Sequence, residues 1–570
     1  MGKFSSRQWT LAVLIVILAV AGVFRFYALD RADVLTDEAS VSFRSIGYFD
    51  FLASPYQTTP LEWLQTRPWW TYLSFHDHPF LNFLLQHGIF VLTGVSVWTM
   101  RLWPALTGWL SILFIYLIGR KLFNSTIGLV SAGLAAVNVY LVWISRLAMQ
   151  EAPLILFMLI SFYIFLKSLE RPRWLVWLGL SLGLTLMIKL NGLILIPILV
   201  FYCLFWRRDV FRSKYLYWGA GLFMLAISPY LIYNFYLYQT FGHLDFQLSY
   251  LLKEPVQAWA IRPGRFEFPT LKSAFSFFFI NLYQGLSLPF LAVAVGSFAF
   301  LSWQAFRPGQ TGQSKLSVRL LLLIAALFFL FFMGIGPSRR FLAMLIPWLC
   351  LMVAVGIYHL GQLGRALKWT TAIGLAIFLA YESWFSFNTN IALANITNNH
   401  WLESRLKPLA YSYGYGQLEP YLDKLLADKK PAVVLPIANN NISSFVTQQT
   451  AKLSGQPEGI MLIYDPRFYG EAVLWHLTRR LIYQGWPVLS YDVYQQTLDN
   501  LGLNFFKDLG LTDFYYLAPT DKIILSNAEK FNVTVDELES FEQQLTARGD
   551  GAETIYNLQQ RPVFIIYHFR

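Results

Sequence analysis

Long apolar runs dominate the first 390 residues of this 570-residue chain. A helix needs about 20 consecutive, mostly apolar residues to cross a membrane. The runs that approach this length lie at residues 8–29, 99–119, 125–144, 149–168, 173–188, 190–206, 215–238, 274–302, 317–336, 340–360 and 368–388. This pattern predicts a polytopic α-helical membrane protein with about eleven spans.

One further apolar run, Pro79–Gly94, is interrupted by polar residues that include Asn82 and Gln86. If this run does not cross the membrane, the basic loops between the other spans all fall on one side. Basic loops favour the cytoplasmic side, so we expect a surface helix here, a cytoplasmic N-terminus and an extracytoplasmic C-terminus. The two large outer loops are then residues 30–98 and 239–273.

The composition agrees with a membrane protein. Hydrophobic residues make up 56% of the chain and charged residues only 14%, whereas soluble proteins have about 25% charged residues. A soluble enzyme, a disordered chain and a disulfide scaffold are therefore excluded. The net charge is +11, and the basic excess lies in the membrane half, where it sets topology. We expect membrane lipids as partners and no nucleic acid.

The tail, residues 391–570, has a different pattern. Its apolar runs have the length of strands: Ala432–Ile437, Gly459–Tyr464, Val488–Tyr491, Phe514–Leu517 and Val563–Tyr567. Polar segments compatible with helices alternate with them, for example Tyr469–Gln484 and Val535–Arg548. This alternation is typical of a parallel α/β sheet. The sequence thus predicts two domains: a transmembrane domain at 1–390 and an extracytoplasmic, soluble α/β domain at 391–570.

The first outer loop contains acidic and imidazole side chains. Asp37 and Glu38 follow Thr36, which suits a helix that begins at Asp37 with Thr36 as its cap. Later in the loop comes the stretch His76-Asp77-His78. A solvated histidine pair is the ordinary interpretation of this stretch. A divalent-metal site is the weaker alternative, because imidazole and carboxylate groups both bind such ions.

Cations also lie on the predicted outer side, against the usual charge bias. Arg146 precedes Glu151 in a short outer loop, Lys189 separates two short spans, and Arg339 and Arg340 open a late span. A solvated salt bridge and snorkelling are the ordinary interpretations of such residues. Cations from separate loops that face the same side instead favour a functional site.

Carboxylates and cations at the outer leaflet suit the transfer of a sugar from a lipid phosphate to a hydroxyl. The cations would hold the phosphate, and one carboxylate would accept the hydroxyl proton. Because the second pKa of a phosphate monoester is about 6, this leaving group needs no general acid. Direct displacement would invert the anomeric centre.

The order of several motifs resembles the GT-C membrane glycosyltransferases, most of all family 39, which includes protein O-mannosyltransferases and the lipid A aminoarabinose transferases. The motifs are Asp37-Glu38, His78-Pro79, Arg101-Leu102-Trp103-Pro104, Gly119-Arg120-Lys121, Ser145-Arg146 with Glu151, and Gly183 to Lys189. The resemblance implies a GT-C fold and a polyprenyl-phosphate sugar donor. It also implies an outer-face active site in a bacterial-type inner or plasma membrane, with no required cofactor.

The resemblance further implies roles for individual residues. The catalytic carboxylates would be Asp37, as proton acceptor or acceptor-orienting group, with Glu38 and Glu151. The donor phosphate would be bound by Lys189, Arg339 and Arg340. Supporting positions would be Arg101, Arg146 and His78.

Two other functions stay open at this point. One is a transporter or flippase of a polyprenyl-linked saccharide, and the other is a membrane-anchored binding protein whose function lies in the tail. Transporters place their key charges near the bilayer midplane, whereas the predicted charges here lie at outer ends, which favours the enzyme. The sequence leaves the acceptor open among a lipid, a glycan and a protein.

Overall fold

The computed structural model describes residues 6–51, 58–254, 256, 259, 268–307, 313–392, 394–520, 525–526, 534–548 and 551–570. Parts of the predicted outer loops 30–98 and 239–273 therefore lie outside the described residues. The chain divides into two compact units. The first, called the helical unit, comprises Met1–Leu29 and Tyr72–Ala410; the second, called the α/β unit, comprises Asp30–Thr71 and Tyr411–Arg570. Much of the first predicted outer loop thus groups with the tail, which a division at residue 390 does not anticipate.

The helical unit is that of a multi-pass membrane protein, as the apolar pattern predicts. Among the described residues, seven helices are long and apolar enough to cross a membrane: Ser6–Phe26, Val97–Leu122, Glu151–Ser168, Lys214–Phe241, Leu288–Phe306, Lys315–Ile335 and Arg339–Gly361. An eighth span results if the bent pair Ser125–Val137 and Val139–Ser145 crosses as one. The remaining helices of the unit are Leu81–Thr93, Trp174–Ile188, Leu190–Trp206, Phe246–Leu252, Leu271–Gly285 and Arg365–Asn390.

The span predicted at 274–302 is wrong, because two helices meet there. Leu271–Gly285 ends before Leu286, and Leu288–Phe306 begins after Ser287. The Oγ of Ser287 accepts the backbone N–H of Phe290 at 3.1 Å, which caps the second helix. Pro289 lies in the first turn of that helix, where its missing N–H has no intrahelical partner to lose.

The bent pair, called the broken helix below, changes direction by 60° at Asn138. The Oδ1 of Asn138 accepts the backbone N–H groups of Tyr140 and Leu141 at 3.1 and 3.3 Å. Asn138 therefore caps the second half of the broken helix while it interrupts the first. The predicted span at 125–144 is one apolar segment in two helical pieces.

A helix does form within the predicted surface segment Pro79–Gly94, at Leu81–Thr93. Its polar side chains bind the neighbouring helix Val97–Leu122: Trp103 Nε1 donates to Asn82 Oδ1 at 3.2 Å, and Gln86 Nε2 donates to the Met100 carbonyl at 3.0 Å. The polar positions therefore fasten this helix to the helical unit. Its position at the membrane surface stays a prediction.

The α/β unit is built on a five-stranded sheet in the order β4-β3-β5-β7-β6. The strands of this unit are β1 Lys429–Pro431, β2 Gln456–Glu458, β3 Ile460–Tyr464, β4 Val488–Ser490, β5 Asp513–Pro519, β6 Gly551–Tyr556 and β7 Pro562–Phe569. Strands β3, β4 and β5 pair in parallel, and β1 pairs with β2 in parallel outside this sheet. The prediction of a strand at each of the last four apolar runs is confirmed.

Two predictions about this sheet are wrong. The sheet is mixed rather than parallel, since β7 pairs antiparallel with both β5 and β6. The connection from β6 to β7 is short, and a short connection joins antiparallel neighbours. The run Ala432–Ile437 forms no strand, because Pro436 within it lacks the N–H that a ladder requires.

Helices cover both faces of the sheet. Alternate residues of β3 point to opposite faces: Leu462 packs with helix Leu418–Leu426, whereas Met461 and Ile463 pack with the helices on the other face. The helices of the unit are Glu38–Gly47, Pro60–Trp63, Leu418–Leu426, Asn440–Thr450, Gly470–Val473, Arg479–Gln484, Tyr491–Leu501, Phe505–Asp508 and Val535–Ala547, with a π-helical turn at Leu474–Thr478.

Candidate functional site

A buried ion pair joins two of the predicted site residues. Glu151 is the first residue of helix Glu151–Ser168, and Lys189 directly follows helix Trp174–Ile188. The Nζ of Lys189 donates to Oε1 of Glu151 at 2.7 Å, and the two side chains are 9% and 1% exposed. Such a pair holds both charges in place because each would be costly to bury alone.

The ring of Phe341 brings a second cation to this pair. Lys189 Nζ and Arg340 Cζ each lie 5.2 Å from the centre of the Phe341 ring, a distance at which a cation is attracted to an aromatic face. Arg340 also acts electrostatically on the Glu151 carboxylate. Two cations and one carboxylate thus lie close together, and we call them the Lys189 cluster.

Arg339 has different partners from Arg340. Its Nη2 donates to Gln284 Oε1 at 2.7 Å, and its carbonyl accepts the Tyr140 hydroxyl at 2.7 Å. These contacts direct Arg339 toward helix Leu271–Gly285. The role of Arg339 in donor binding stays a prediction. It is Arg340 that contacts the Phe341 ring shared with Lys189.

Arg25 and Arg146 connect the first helix, Ser6–Phe26, with the broken helix. Arg25 is fully buried, and its Nη1 donates to the Ala136 carbonyl at 2.9 Å, at the end of the first half of the broken helix. Arg146 follows the second half and donates to the Tyr27 and Ala28 carbonyls at 2.8 and 2.7 Å. Each guanidinium satisfies carbonyls that have no partner within their own helix. Arg146 therefore anchors the short loop that leads to Glu151.

Arg101 acts on the same stretch of backbone. It is almost completely buried, and its Nη1 donates to the Leu29 carbonyl at 3.0 Å. Together with Arg146, it fixes the residues that directly precede the loop containing Asp37. Arg101 and Arg146 thus both bind backbone carbonyls after the first helix, whereas Arg25 was missed because it lies inside an apolar span with no neighbouring motif.

The His76-Asp77-His78 stretch forms a close imidazole–carboxylate group. His78 Nδ1 lies 3.1 Å and His76 Nδ1 3.9 Å from Asp77 Oδ1. The His76 carbonyl accepts the Phe246 backbone N–H at 2.9 Å, which links this stretch to helix Phe246–Leu252. Within the described part of the chain, no group of three or more His, Cys, Asp or Glu side chains is arranged to hold a metal ion.

Asp245 caps helix Phe246–Leu252 beside this stretch. Its Oδ1 accepts the Leu248 backbone N–H at 2.8 Å, and its own N–H donates to Asn234 Oδ1 at 2.9 Å. Burial raises the pKa of Asp245 to about 6, and the charge of Asp77 adds to this rise. This carboxyl was missed because a single acid in a long loop has no distinguishing pattern.

Asp37 and Glu38 lie in the α/β unit and differ in exposure. Asp37 is exposed at the start of helix Glu38–Gly47 and makes no capping hydrogen bond to it, whereas Glu38 is fully buried. The predicted helix start is off by one residue: Thr36 Oγ1 accepts the Glu38 N–H at 3.4 Å, so the helix begins at Glu38. An exposed carboxylate is accessible to a substrate hydroxyl, whereas a fully buried one such as Glu38 is not.

Asp33, four residues before Asp37, accepts four backbone hydrogen bonds. Its Oδ2 accepts the backbone N–H groups of Tyr413, Gly414 and Tyr415 at 2.7, 2.9 and 3.2 Å, and its Oδ1 accepts that of Gly416 at 2.9 Å. The side chain is 1% exposed. The sequence gives no signal for this contact, since its partners lie some 380 residues away.

Further contacts of residues 30–71 with the tail support the same arrangement. The Tyr483 hydroxyl donates to the Phe43 carbonyl, and the Phe49 and Phe445 rings stack with their centres 4.3 Å apart. Asn441 Nδ2 donates to the Leu61 carbonyl at 2.8 Å. The loop containing Asp37 is therefore an integral part of the α/β unit.

Part of the helical unit is similar in sequence to a known protein family. The family model described as dolichyl-phosphate-mannose-protein mannosyltransferase matches residues 77–233. No curated protein sequence matches the chain significantly.

Two solved structures have a similar fold. ArnT from Cupriavidus metallidurans, crystallised with undecaprenyl phosphate, has 15% identity and a TM-score of 0.54, with coverage of 99% of this chain and 98% of that chain. The archaeal oligosaccharyltransferase AglB from Archaeoglobus fulgidus, in complex with an inhibitory peptide and a dolichol phosphate, has 12% identity and a TM-score of 0.50, with coverage of 90% and 70%. The resemblance of this chain to the GT-C glycosyltransferases is thus confirmed.

Proposed function

We propose that this chain transfers a hexosyl or pentosyl group from a polyprenyl-phosphate donor to an acceptor hydroxyl on the extracytoplasmic face of the membrane. The observation that supports this proposal best is the Lys189 cluster, in which two cations and one carboxylate lie together at the ends of three apolar helices. A cationic group of this kind suits a lipid phosphate at the membrane boundary. The solved relative ArnT was crystallised with undecaprenyl phosphate, which is a ligand of the same chemistry.

The proposed reaction is a single displacement. The acceptor oxygen attacks the anomeric carbon, the bond from that carbon to the phosphate oxygen breaks, and polyprenyl phosphate leaves with the electron pair. The acceptor proton moves to a carboxylate, a role that the resemblance to family 39 implies for Asp37. Lys189 and Arg340 offset the charge that develops on the leaving phosphate, and Glu151 holds Lys189 in its position. The new glycosidic bond has the inverted configuration.

The role of Asp37 rests on its match to the first-loop acid of the resembling family and on its exposure. Glu38, buried at the next position, would support the loop rather than accept a proton. Arg101 and Arg146 would act through the backbone carbonyls that they bind.

The test is mass spectrometry of the lipid that copurifies with the full chain, followed by titration with undecaprenyl phosphate. We expect a polyprenyl phosphate or its glycosylated form in the purified protein, and saturable binding of the added lipid. Absence of any polyprenyl lipid together with absence of binding would refute the proposal. A lipid-linked saccharide that is moved across vesicles without a change in its mass would instead support the transporter.

A further inference from the structure

The α/β unit contains a cleft of about 1030 Å³ between helices Tyr491–Leu501 and Val535–Ala547. Both helices pack on the same face of the sheet, where their apolar residues share one core. Ligand sites in proteins commonly occupy about 300–1,000 Å³, so the cleft has room for a ligand of several sugar rings.

The floor of the cleft is aromatic. Phe514 at the start of β5 and Phe569 at the end of β7 line it, together with Tyr494 and Phe541 from the two helices. Tyr494 and Phe569 are each 8% exposed, so a narrow part of each side chain remains accessible. Aromatic side chains provide apolar contact area, and tyrosine adds a polar group at its tip.

The walls of the cleft are polar. Gln495 and Asp499 on one helix, and Ser540 and Gln544 on the other with Arg548 directly after its end, line the cleft at intervals of four residues. Residues at this interval share one face of a helix. Amide, hydroxyl, carboxylate and guanidinium groups together supply both donors and acceptors of hydrogen bonds, which is what a ligand rich in hydroxyl groups requires.

The charged residues that line the cleft do not favour an anionic ligand. Four acidic side chains line the cleft, namely Asp492, Asp499, Asp536 and Glu537, against three basic ones, namely Lys507, Arg548 and Arg570. A site for a lipid phosphate needs an excess of cations. The balance here favours a neutral polar ligand.

We propose that this cleft binds a neutral oligosaccharide, which is the glycan portion of the acceptor. That the oligosaccharide belongs to the acceptor rests on the proposed function. Sugar rings would lie with their C–H faces against the aromatic floor, and their hydroxyl groups would bind the polar walls. The class of acceptor is then a glycan or glycan-bearing molecule rather than a bare peptide or a simple lipid.

The experiment is binding of the full chain in detergent to immobilised neutral oligosaccharides of four to six glucose, mannose or N-acetylglucosamine units. Gln544→Trp places a large side chain in the cleft, and Gln495→Ala removes an amide from the opposite wall. Gln543→Trp is the matched control, since Gln543 is exposed on the same helix outside the cleft lining. We expect the wild type and Gln543→Trp to bind at least one oligosaccharide, and Gln544→Trp to bind it at least about tenfold more weakly.

Binding of none of these oligosaccharides, or equal binding by the wild type and Gln544→Trp, would overturn the proposal. The same holds if Gln544→Trp impairs binding of phospholipid vesicles instead of saccharides. Titration of each variant with undecaprenyl phosphate keeps the two proposals separable. The chain could bind saccharides in a Gln544-dependent way and yet bind no polyprenyl phosphate. That result would support the cleft as a saccharide site and refute sugar transfer from a polyprenyl-phosphate donor.

Discussion

The Lys189 ammonium and the Glu151 carboxylate lie 2.7 Å apart, and neither side chain is more than 9% exposed. A buried pair of this kind has two separable effects. It satisfies both charges, so that loss of one partner costs about 3–5 kcal/mol. It also fixes the ammonium beside the Phe341 ring that it shares with Arg340.

The first prediction separates these two effects by comparing a single with a double substitution. Lys189→Gln should lower both thermal stability and affinity for undecaprenyl phosphate, the latter by about 10- to 100-fold for the loss of one charge-assisted hydrogen bond. Lys189→Gln with Glu151→Gln should recover stability, because neither member of the buried ion pair is left without the other, but it should not recover the affinity. Lys121→Gln, whose partner Glu170 is exposed, is the control. Recovery of affinity along with stability would make the role of Lys189 purely structural.

The second prediction compares two neighbouring arginines. Arg340→Gln should weaken binding of undecaprenyl phosphate more than Arg339→Gln, because Arg340 faces the ring shared with Lys189 whereas Arg339 binds Gln284. The measurement is the dissociation constant of the lipid for both variants, with circular dichroism as a check on folding. Equal losses, or a larger loss in Arg339→Gln, would place the phosphate elsewhere.

The third prediction concerns the exposed carboxylate of the first outer loop. Asp37→Asn should reduce transfer about 10²- to 10⁴-fold, the usual contribution of a proton acceptor, while the melting temperature and the affinity for undecaprenyl phosphate stay unchanged. Asp30→Asn, an exposed acid in the same loop, should be close to wild type. Transfer at the wild-type rate in Asp37→Asn would remove this residue from the reaction.

Apolar periodicity predicted the helical unit well where one helix fills one run. The run at 99–119 corresponds to helix Val97–Leu122, and the run at 149–168 to Glu151–Ser168. It failed where a cap interrupts an apolar stretch, at Ser287 and at Asn138, because neither residue lowers hydrophobicity enough to divide the run. A hydrogen bond of one side chain decides these breaks, and hydropathy does not contain that information.

The candidate site was predictable only in part. The argument that outer cations should converge led to Lys189, Glu151 and Arg340, which do lie together. It did not distinguish Arg339 from Arg340, since adjacent residues on a short helix face different neighbours. Asp33 and Arg25 were missed because their partners are backbone groups far away in the chain, and backbone groups have no sequence signature.

The fourth prediction tests the Asp33 contact. Asp33→Ala should speed hydrogen exchange at the amides of Tyr413, Gly414, Tyr415 and Gly416 by about 10- to 100-fold, because each loses a carboxylate acceptor that contributes about 1.5–3 kcal/mol. Exchange in helix Val535–Ala547 should stay unchanged and serves as the internal control. Asp33→Asn, which keeps one acceptor oxygen, should give an intermediate effect. Unchanged exchange at all four amides would show that the contact contributes nothing to the loop.

The fifth prediction is a pH dependence in the α/β unit. Burial raises the pKa of Glu542 to about 7, and the nearby charge of Asp465 adds to the rise while Arg467 opposes it. A carboxyl whose pKa is raised by folding stabilises the folded state while it is protonated. This stabilisation is complete below the ordinary pKa of about 4.3 and is lost as the pH rises through 7. From pH 5 to pH 8, the melting temperature of the wild type should therefore fall relative to that of Glu542→Gln. These two pH values lie on either side of the raised pKa, each about a unit or more from it. Asp536→Asn, which replaces an exposed acid on the same helix, is the control, and a wild-type-to-Glu542→Gln difference that does not vary with pH would contradict the assignment.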